Sequence, residues 1–328
     1  MIRRMTADVF RTARAPMVPP EGMELHAGDL TATFGAGVTL GQAQAALDDI
    51  GQWLPIDGDP QASIGQLISY NSTGPLRLGY GAWRDLLLGV QFINGQDELI
   101  SAGGRTVKNV AGYDLTKFIV GSAGVFGKIV TATVRTYKKP AGALLVRHAL
   151  ARMEKSLSSR LMPTPLRPQW AMRVPGALRC GYLGDGRTLD FYRTALAPYG
   201  QGQPVERSVE EDQADRARLW RADGPQAFRA TLPPTALGAF TAALGATAWV
   251  ADEAFGIVLG SNVPEDQADT IRAAAATSGG TLRLIRADAG AGATIDFSTN
   301  PVERQIIEQL KQAFDPDGKL NPLPWQPR

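Results

Sequence analysis

Three glycine-rich segments hold the residues of this chain whose types and spacing could do chemistry. The first runs Ala62-Ser63-Ile64-Gly65-Gln66 and on through Ser69-Tyr70-Asn71-Ser72-Thr73-Gly74-Pro75. The second is Gly103-Gly104-Arg105-Thr106-Val107-Lys108-Asn109-Val110-Ala111-Gly112-Tyr113-Asp114, and the third Gly121-Ser122-Ala123-Gly124-Val125-Phe126-Gly127. Glycine permits positive φ and a close approach of backbone to a ligand. Backbone N–H groups in such turns form concavities that hold anions such as phosphates. The small polar side chains Ser63, Ser69, Asn71, Ser72 and Thr73 can hydrogen-bond a large polar cofactor without filling its space. Any one segment also suits a tight turn between strands. Three in one half of the chain point to a cofactor lying along the backbone.

Other chemistries lack their residues. The two histidines, His26 and His148, are too few for an imidazole-built zinc or iron site, and no G-x-S-x-G elbow accompanies them. The single cysteine, Cys180, excludes an intramolecular disulfide or a thiolate cluster carried by this chain alone. Gly35-Ala36-Gly37-Val38-Thr39-Leu40-Gly41 misses the dinucleotide fingerprint, because its third glycine comes one residue late. The 34 basic and 32 acidic residues leave a net charge of +2, which is no footprint for nucleic acid. Arg3 and Arg4 are not followed by a signal-peptide core, and no apolar run reaches the ~20 residues of a membrane span, so no membrane insertion and a cytoplasmic location are expected.

The elements that must position these segments follow from the pattern. The 328 residues suggest two domains. Residues 1–27 read as an N-terminal arm, 28–140 as the domain carrying the glycine segments, and 141–328 as a second domain whose last helix returns to the first. Residues 31–34 are β-prone. Thr39 can cap a helix whose Leu40, Ala43, Leu47 and Ile50 share a face, closed by Gly51. Residues 58–84 carry little regular structure. Residues 86–92 read as a strand, Asn94-Gly95-Gln96-Asp97 as a hairpin turn, and Asp114 as the cap of a helix stopped by Gly121. Residues 129–137 alternate as a half-buried strand. The second half mixes strands (143–146, 248–250, 256–260, 281–285) with helices (about 208–221, 234–244, 265–277), which suits antiparallel strands with helices on one face. Ala287 to Ala293 reads as a loop. Asn300 and Pro301 open a last helix presenting Val302, Ile306, Leu310 and Phe314 on one face.

Several runs resemble a known family. Gly51-Gln52-Trp53-Leu54-Pro55-Ile56-Asp57, Gly81-Ala82-Trp83-Arg84-Asp85-Leu86-Leu87-Leu88-Gly89 and above all Gly104-Arg105-Thr106-Val107-Lys108-Asn109-Val110-Ala111-Gly112-Tyr113-Asp114-Leu115-Thr116-Lys117 look like the FAD-binding subunits of bacterial glycolate oxidases. Those belong to the vanillyl-alcohol-oxidase or p-cresol-methylhydroxylase type of flavoproteins. The ending Phe314-Asp315-Pro316-Asp317-Gly318-Lys319-Leu320-Asn321-Pro322 is similar to the usual close of that superfamily. The likeness is dense over about 28–140, weak through the second domain, and returns at the C-terminus.

The resemblance implies an α+β chain: a p-cresol-methylhydroxylase-type FAD-binding domain followed by a cap domain of antiparallel sheet and helices. It implies non-covalent FAD, lined by Ser63, Ile64, Gly65, Asn71, Ser72, Thr73 and Gly74. Gly104, Asn109, Gly112, Tyr113 and Asp114 would support the pocket, Gly121, Gly124 and Gly127 would continue it, and Ile129 would reach the adenine end. Tyr113 and Asp114 read equally as a buried aromatic and a helix cap. The implied activity is that of a flavin-dependent oxidoreductase subunit in a 2-hydroxy-acid-oxidising complex. Its partners would be a catalytic flavin subunit and an iron–sulfur subunit, and no residue of this chain is nominated as catalytic. Two departures stand out. The family's N-terminal β–α–β lobe, with its pyrophosphate loop, is expected to be lacking, and Gln66 stands where a second glycine is usual. They favour an alternative, an FAD-free structural or assembly subunit of such a complex. A standalone FAD oxidoreductase is a third reading.

Overall fold

The computed structural model describes residues 11–12, 16–104, 115–149, 162–197, 204–224, 226–245, 247–286 and 300–325. The chain divides into two compact units. One comprises Met1–Thr73, Gly81–Lys139 and Ala293–Arg328; the other comprises Gly74–Tyr80 and Pro140–Gly292.

The first unit is built on an antiparallel sheet of β1 (Arg11–Thr12), β2 (Met23–His26), β3 (Thr31–Gly35), β5 (Leu87–Ile93), β6 (Leu99–Gly103) and β7 (Lys128–Arg135). The spatial order is β1-β6-β5-β7-β3-β2, and β4 (Gln52–Trp53) pairs separately with β8 (Tyr137–Lys138). The β5–β6 hairpin turns where the sequence predicts, with Asp97 N–H donating to Asn94 O. One sheet face carries Ala32, Phe34, Val90, Phe92, Ala132 and Val134, all buried in the core. The opposite face is polar and also buried. Thr131 and Thr133 are 0% and 1% exposed, so the expected half-buried strand is covered on both sides. Burial of these hydroxyls is tolerable because they are paired: Thr33 with Thr133 at 2.8 Å, and Thr131 donating to Gln91 Oε1 at 3.0 Å.

Part of that cover is the N-terminal arm. Between β1 on one edge and β2 on the other, Met17 N–H donates to Gln91 Oε1, and the carbonyls of Pro19 and Pro20 lie where a Cβ on Gly35 would stand. Met23–His26 is therefore a sheet strand rather than part of a free arm.

Thr39 caps the Leu40–Asp48 helix as predicted, in a capping box with Gln42. Residues 58–84 differ from expectation, for they contain three short helices, Ile64–Ser69, Arg77–Tyr80 and Trp83–Leu86. Side-chain caps hold two of them in place of length: Ser63 Oγ accepts from Gln66 N–H, and Asp85 Oδ2 accepts from Ala82 N–H. The last helix, Pro301–Phe314, buries Lys311 and Phe314, with Ile307 and Leu310 packed on the core, while Val302 and Ile306 are exposed. A four-residue repeat explains the difference. Each step of four advances about 400° around the axis. From Val302 to Phe314 the row therefore drifts about 120° and leaves the buried face.

The second unit is an eight-stranded antiparallel sheet of β9 (Gly142–Ala149), β10 (Trp170–Val174), β11 (Ala177–Gly184), β12 (Val205–Arg207), β13 (Gln226–Thr231), β14 (Ala248–Asp252), β15 (Ile257–Ser261) and β16 (Thr281–Arg286). Their order is β12-β9-β11-β10-β14-β15-β13-β16. The helices Val209–Leu219, Leu237–Ala243 and Ala268–Thr277 fall close to their predicted places. Not all helices share one face. Gly186–Leu196 packs Tyr192 and Leu196 with Ala171 and Cys180, whereas Asp212 of Val209–Leu219 accepts from Trp170 Nε1, on the other side of β10.

Candidate functional site

The first and third glycine segments are joined. The Ile64–Ser69 helix ends in Asn71, whose φ of 49° turns the chain out into Ser72 and Thr73. Two backbone bonds tie this end to the third segment: Gly121 N–H to Ile68 O at 3.0 Å, and Ala123 N–H to Ser69 O at 2.8 Å. Asn71 and Gly121 meet so closely that a Cβ added to Gly121 would lie 3.4 Å from that of Asn71. Gly121, Ala123 and Gly124 have positive φ (76°, 47° and 75°), so left-handed residues flank Ser122 on both sides. The N–H groups of Gly121 and Ala123 are spent on the helix end, and Ser122 N–H donates to Ile119 O at 3.3 Å. At its centre Ser122 is 3% exposed, and its Oγ has no hydrogen-bond partner among the described residues. Buried hydroxyls are nearly always paired. Ser72 is fixed from behind by Trp83 Nε1, which donates to Ser72 O at 2.8 Å.

The remaining sequence-predicted residues sit elsewhere or serve packing. Ser63 spends its side chain on the helix cap, and Ile64 is fully buried. Gly65 donates its N–H to Ala36 O at 3.0 Å, and an added Cβ there would stand 2.7 Å from Ala36 Cβ. Its bareness lets the helix seat on the 35–37 turn. Gln66 is exposed. Gly127 makes room for Phe92, and Ile129 pairs with Phe92 in the sheet. Gly104 follows β6, its N–H bonded to Leu88 O at 3.1 Å. Gly74 belongs to the second unit, where its carbonyl accepts from Arg77 N–H. Asn109, Gly112, Tyr113 and Asp114 lie outside the described residues. Ser122, by contrast, was not among the predicted site residues. Its signal is structural, a hydroxyl buried without a partner.

The second unit holds a charged group that sequence reasoning also missed. Arg77 Nε lies 3.7 Å from Asp252 Oδ2, and the guanidinium stacks 3.7 Å over the Phe255 ring. Burial pushes the Asp252 carboxyl up to about 6, against the pull of Arg77 and of the N–H groups of Phe255 and Ala254.

The donor set of the first unit fits a flavin dinucleotide, with an unpaired buried hydroxyl, left-handed backbone turns and small polar side chains around a joint between two segments. Residues 21–103 match the family of FAD binding domains. The chain thus carries an FAD-binding domain of the p-cresol-methylhydroxylase type, and FAD is the cofactor this match indicates. Among characterised relatives, it is 31% identical over 145 residues to the glycolate oxidase subunit GlcE of Escherichia coli, covering 42% of this chain and 41% of that one. It is 36% identical over 120 residues to the glycolate oxidase subunit GlcD of Bacillus subtilis (36% and 26%). It is 32% identical over 116 residues to the mitochondrial D-lactate dehydrogenase [cytochrome] of Arabidopsis thaliana (35% and 20%). These matches span well under half the length of the relatives. An alkyldihydroxyacetonephosphate synthase structure superposes with a TM-score of 0.63 at 15% identity, covering 89% of this chain and 64% of that one, which establishes the fold alone. Among the described residues, no helix is long and apolar enough to cross a membrane.

Proposed function

We propose that this chain binds FAD non-covalently at the joint between residues 71–73 and 121–124 and serves as a flavin-bearing subunit of a 2-hydroxy-acid-oxidising complex of the glycolate oxidase type. The observation that carries the reading is the buried, unpartnered Ser122 Oγ at the centre of that joint. A polar cofactor group would supply the missing partner, and leaving a buried hydroxyl unpaired costs about 1–3 kcal/mol. Asn71, Ser72 and Thr73 offer side-chain donors and acceptors on the neighbouring strand of chain. The flavin, when bound, supplies the two-electron redox chemistry; the protein binds and orients it. The names of the relatives support a 2-hydroxy acid as the substrate class. A catalytic flavin subunit and an iron–sulfur subunit as partners, and a cytoplasmic location, belong to the same proposal.

The test is Ser122→Ala with FAD titrated into the flavin-free protein. The expected result is a rise in Kd of about 10-fold, in line with the loss of one buried hydrogen bond. Wild-type affinity in the variant would remove Ser122 from the site.

A further inference from the structure

The C-terminal turn carries a hydrogen-bonded group that the cofactor reading leaves unexplained. Lys311 is the charged member of the buried face of Pro301–Phe314, its side chain only 10% exposed. A buried ammonium is costly unless paired and hydrogen-bonded. Here it donates to Asp315, to Val125 O at 3.2 Å and to Asn321 O at 2.9 Å. Burial works against the charge of Asp315, but the bond from Lys311 and the N–H groups of Leu320 and Lys319 outweigh it and hold the carboxyl below its usual range. Asn321 then reaches forward. Its Nδ2 donates to Ala123 O at 2.7 Å and lies 3.0 Å from where a Cβ on Gly124 would stand.

The 121–127 turn is thus gripped from two sides. The Ile64–Ser69 helix takes the N–H groups of Gly121 and Ala123, and the C-terminal turn takes the carbonyls of Ala123 and Val125. Ala123 is the residue gripped on both sides, and it has a φ of 47°. An alanine persists in the left-handed region only where its surroundings over-determine it.

We propose that Asn321, held by Lys311 and Asp315, is a positioning residue for the cofactor segment: it fixes the left-handed turn at Ala123 and thereby the placement of Ser122 and Asn71. This rests on the reading of residues 71–73 and 121–124 as the flavin joint. The role differs from simple stabilisation. A core residue lowers the stability of the whole unit when it is truncated, whereas loss of the Asn321 grip releases one turn.

The experiment compares Asn321→Leu with a control, Ile307→Ala, which removes core packing from the same C-terminal helix and leaves the hydrogen bonds of Lys311 and Asn321 to the 121–127 turn in place. Two readouts are taken on the full chain, FAD Kd by titration and amide hydrogen exchange of flavin-free protein over residues 68–74 and 121–125. For Asn321→Leu, Kd rises about 10-fold and local exchange quickens by a similar factor; for Ile307→Ala, whatever its melting temperature, Kd stays within about two-fold. Unchanged local exchange in Asn321→Leu, or an equal loss of affinity in Ile307→Ala, overturns the proposal. If the wild-type chain binds no FAD, the flavin reading fails by itself. The exchange comparison still decides whether Asn321 positions the turn.

Discussion

Asn71 and Gly121 meet back to back: Asn71 turns with φ of 49°, Gly121 with φ of 76°, and a Cβ on the glycine would stand 3.4 Å from the asparagine's. The space alone would admit a methyl group, but the backbone conformation would not welcome one. Gly121→Ala should cost about 1–2 kcal/mol from left-handed strain, and Gly121→Val more, because β-branched side chains tolerate that region least. Urea unfolding measures the loss, and FAD titration should show both variants binding more weakly than wild type.

Gly65 tests a different kind of glycine. Its conformation is ordinary, but an added Cβ would meet Ala36 Cβ at 2.7 Å and Ala36 O at 3.0 Å. A backbone carbonyl yields poorly, so Gly65→Ala should push the Ile64–Ser69 helix off the 35–37 turn at a cost of about 1–3 kcal/mol. Chemical denaturation with an unchanged midpoint would show that the helix reseats without penalty.

Asp252 gives the second unit a pH dependence of unusual sign. Its folded pKa is about 6, raised by burial. Between the unfolded value near 3.9 and 6 the folded state holds the extra proton, so this group's contribution to stability grows as pH falls from 7 to about 4, by up to about 3 kcal/mol. Asp252→Asn keeps an acceptor for the N–H groups of Ala254 and Phe255. Relative to wild type, the variant should therefore be more stable at pH 7.5 than at pH 4.5. Parallel melting profiles across that range would refute the assignment.

Asp315 has the opposite sign. Its pKa is lowered, so its stabilisation is present above the ordinary carboxylate range and is lost as pH falls through its folded value. Acid should release the C-terminal turn first. Hydrogen exchange of the Lys319 and Leu320 amides, which both donate to Asp315, should quicken below pH 4 relative to the expected intrinsic rate.

Much of the first unit was legible because its signals are local. Thr39 forms the predicted cap, which the structure completes with Gln42, and the Asn94-Gly95-Gln96-Asp97 turn joins the predicted strands. The short helices of residues 58–84 were not legible, because each is too short for periodicity. In the second unit, β10, β11 and β13 were missed because polar and small residues interrupt their alternation for tertiary reasons. Arg173 is held by a bidentate bond to Glu253, and Gly181 is bare so that the Trp170 indole can lie over it. At the site, glycine content pointed to the 121–127 turn, but only the fold shows that Asn71 joins it and that Ser122 is the buried hydroxyl left over.

The central claim is that this chain carries FAD, and the visible spectrum of the purified protein tests it most directly. The account predicts flavin bands near 370 and 450 nm at about one FAD per chain, with the flavin released into solution on denaturation because it is held without a covalent bond. A colourless preparation whose addition leaves the spectrum and fluorescence of free FAD unchanged would contradict it.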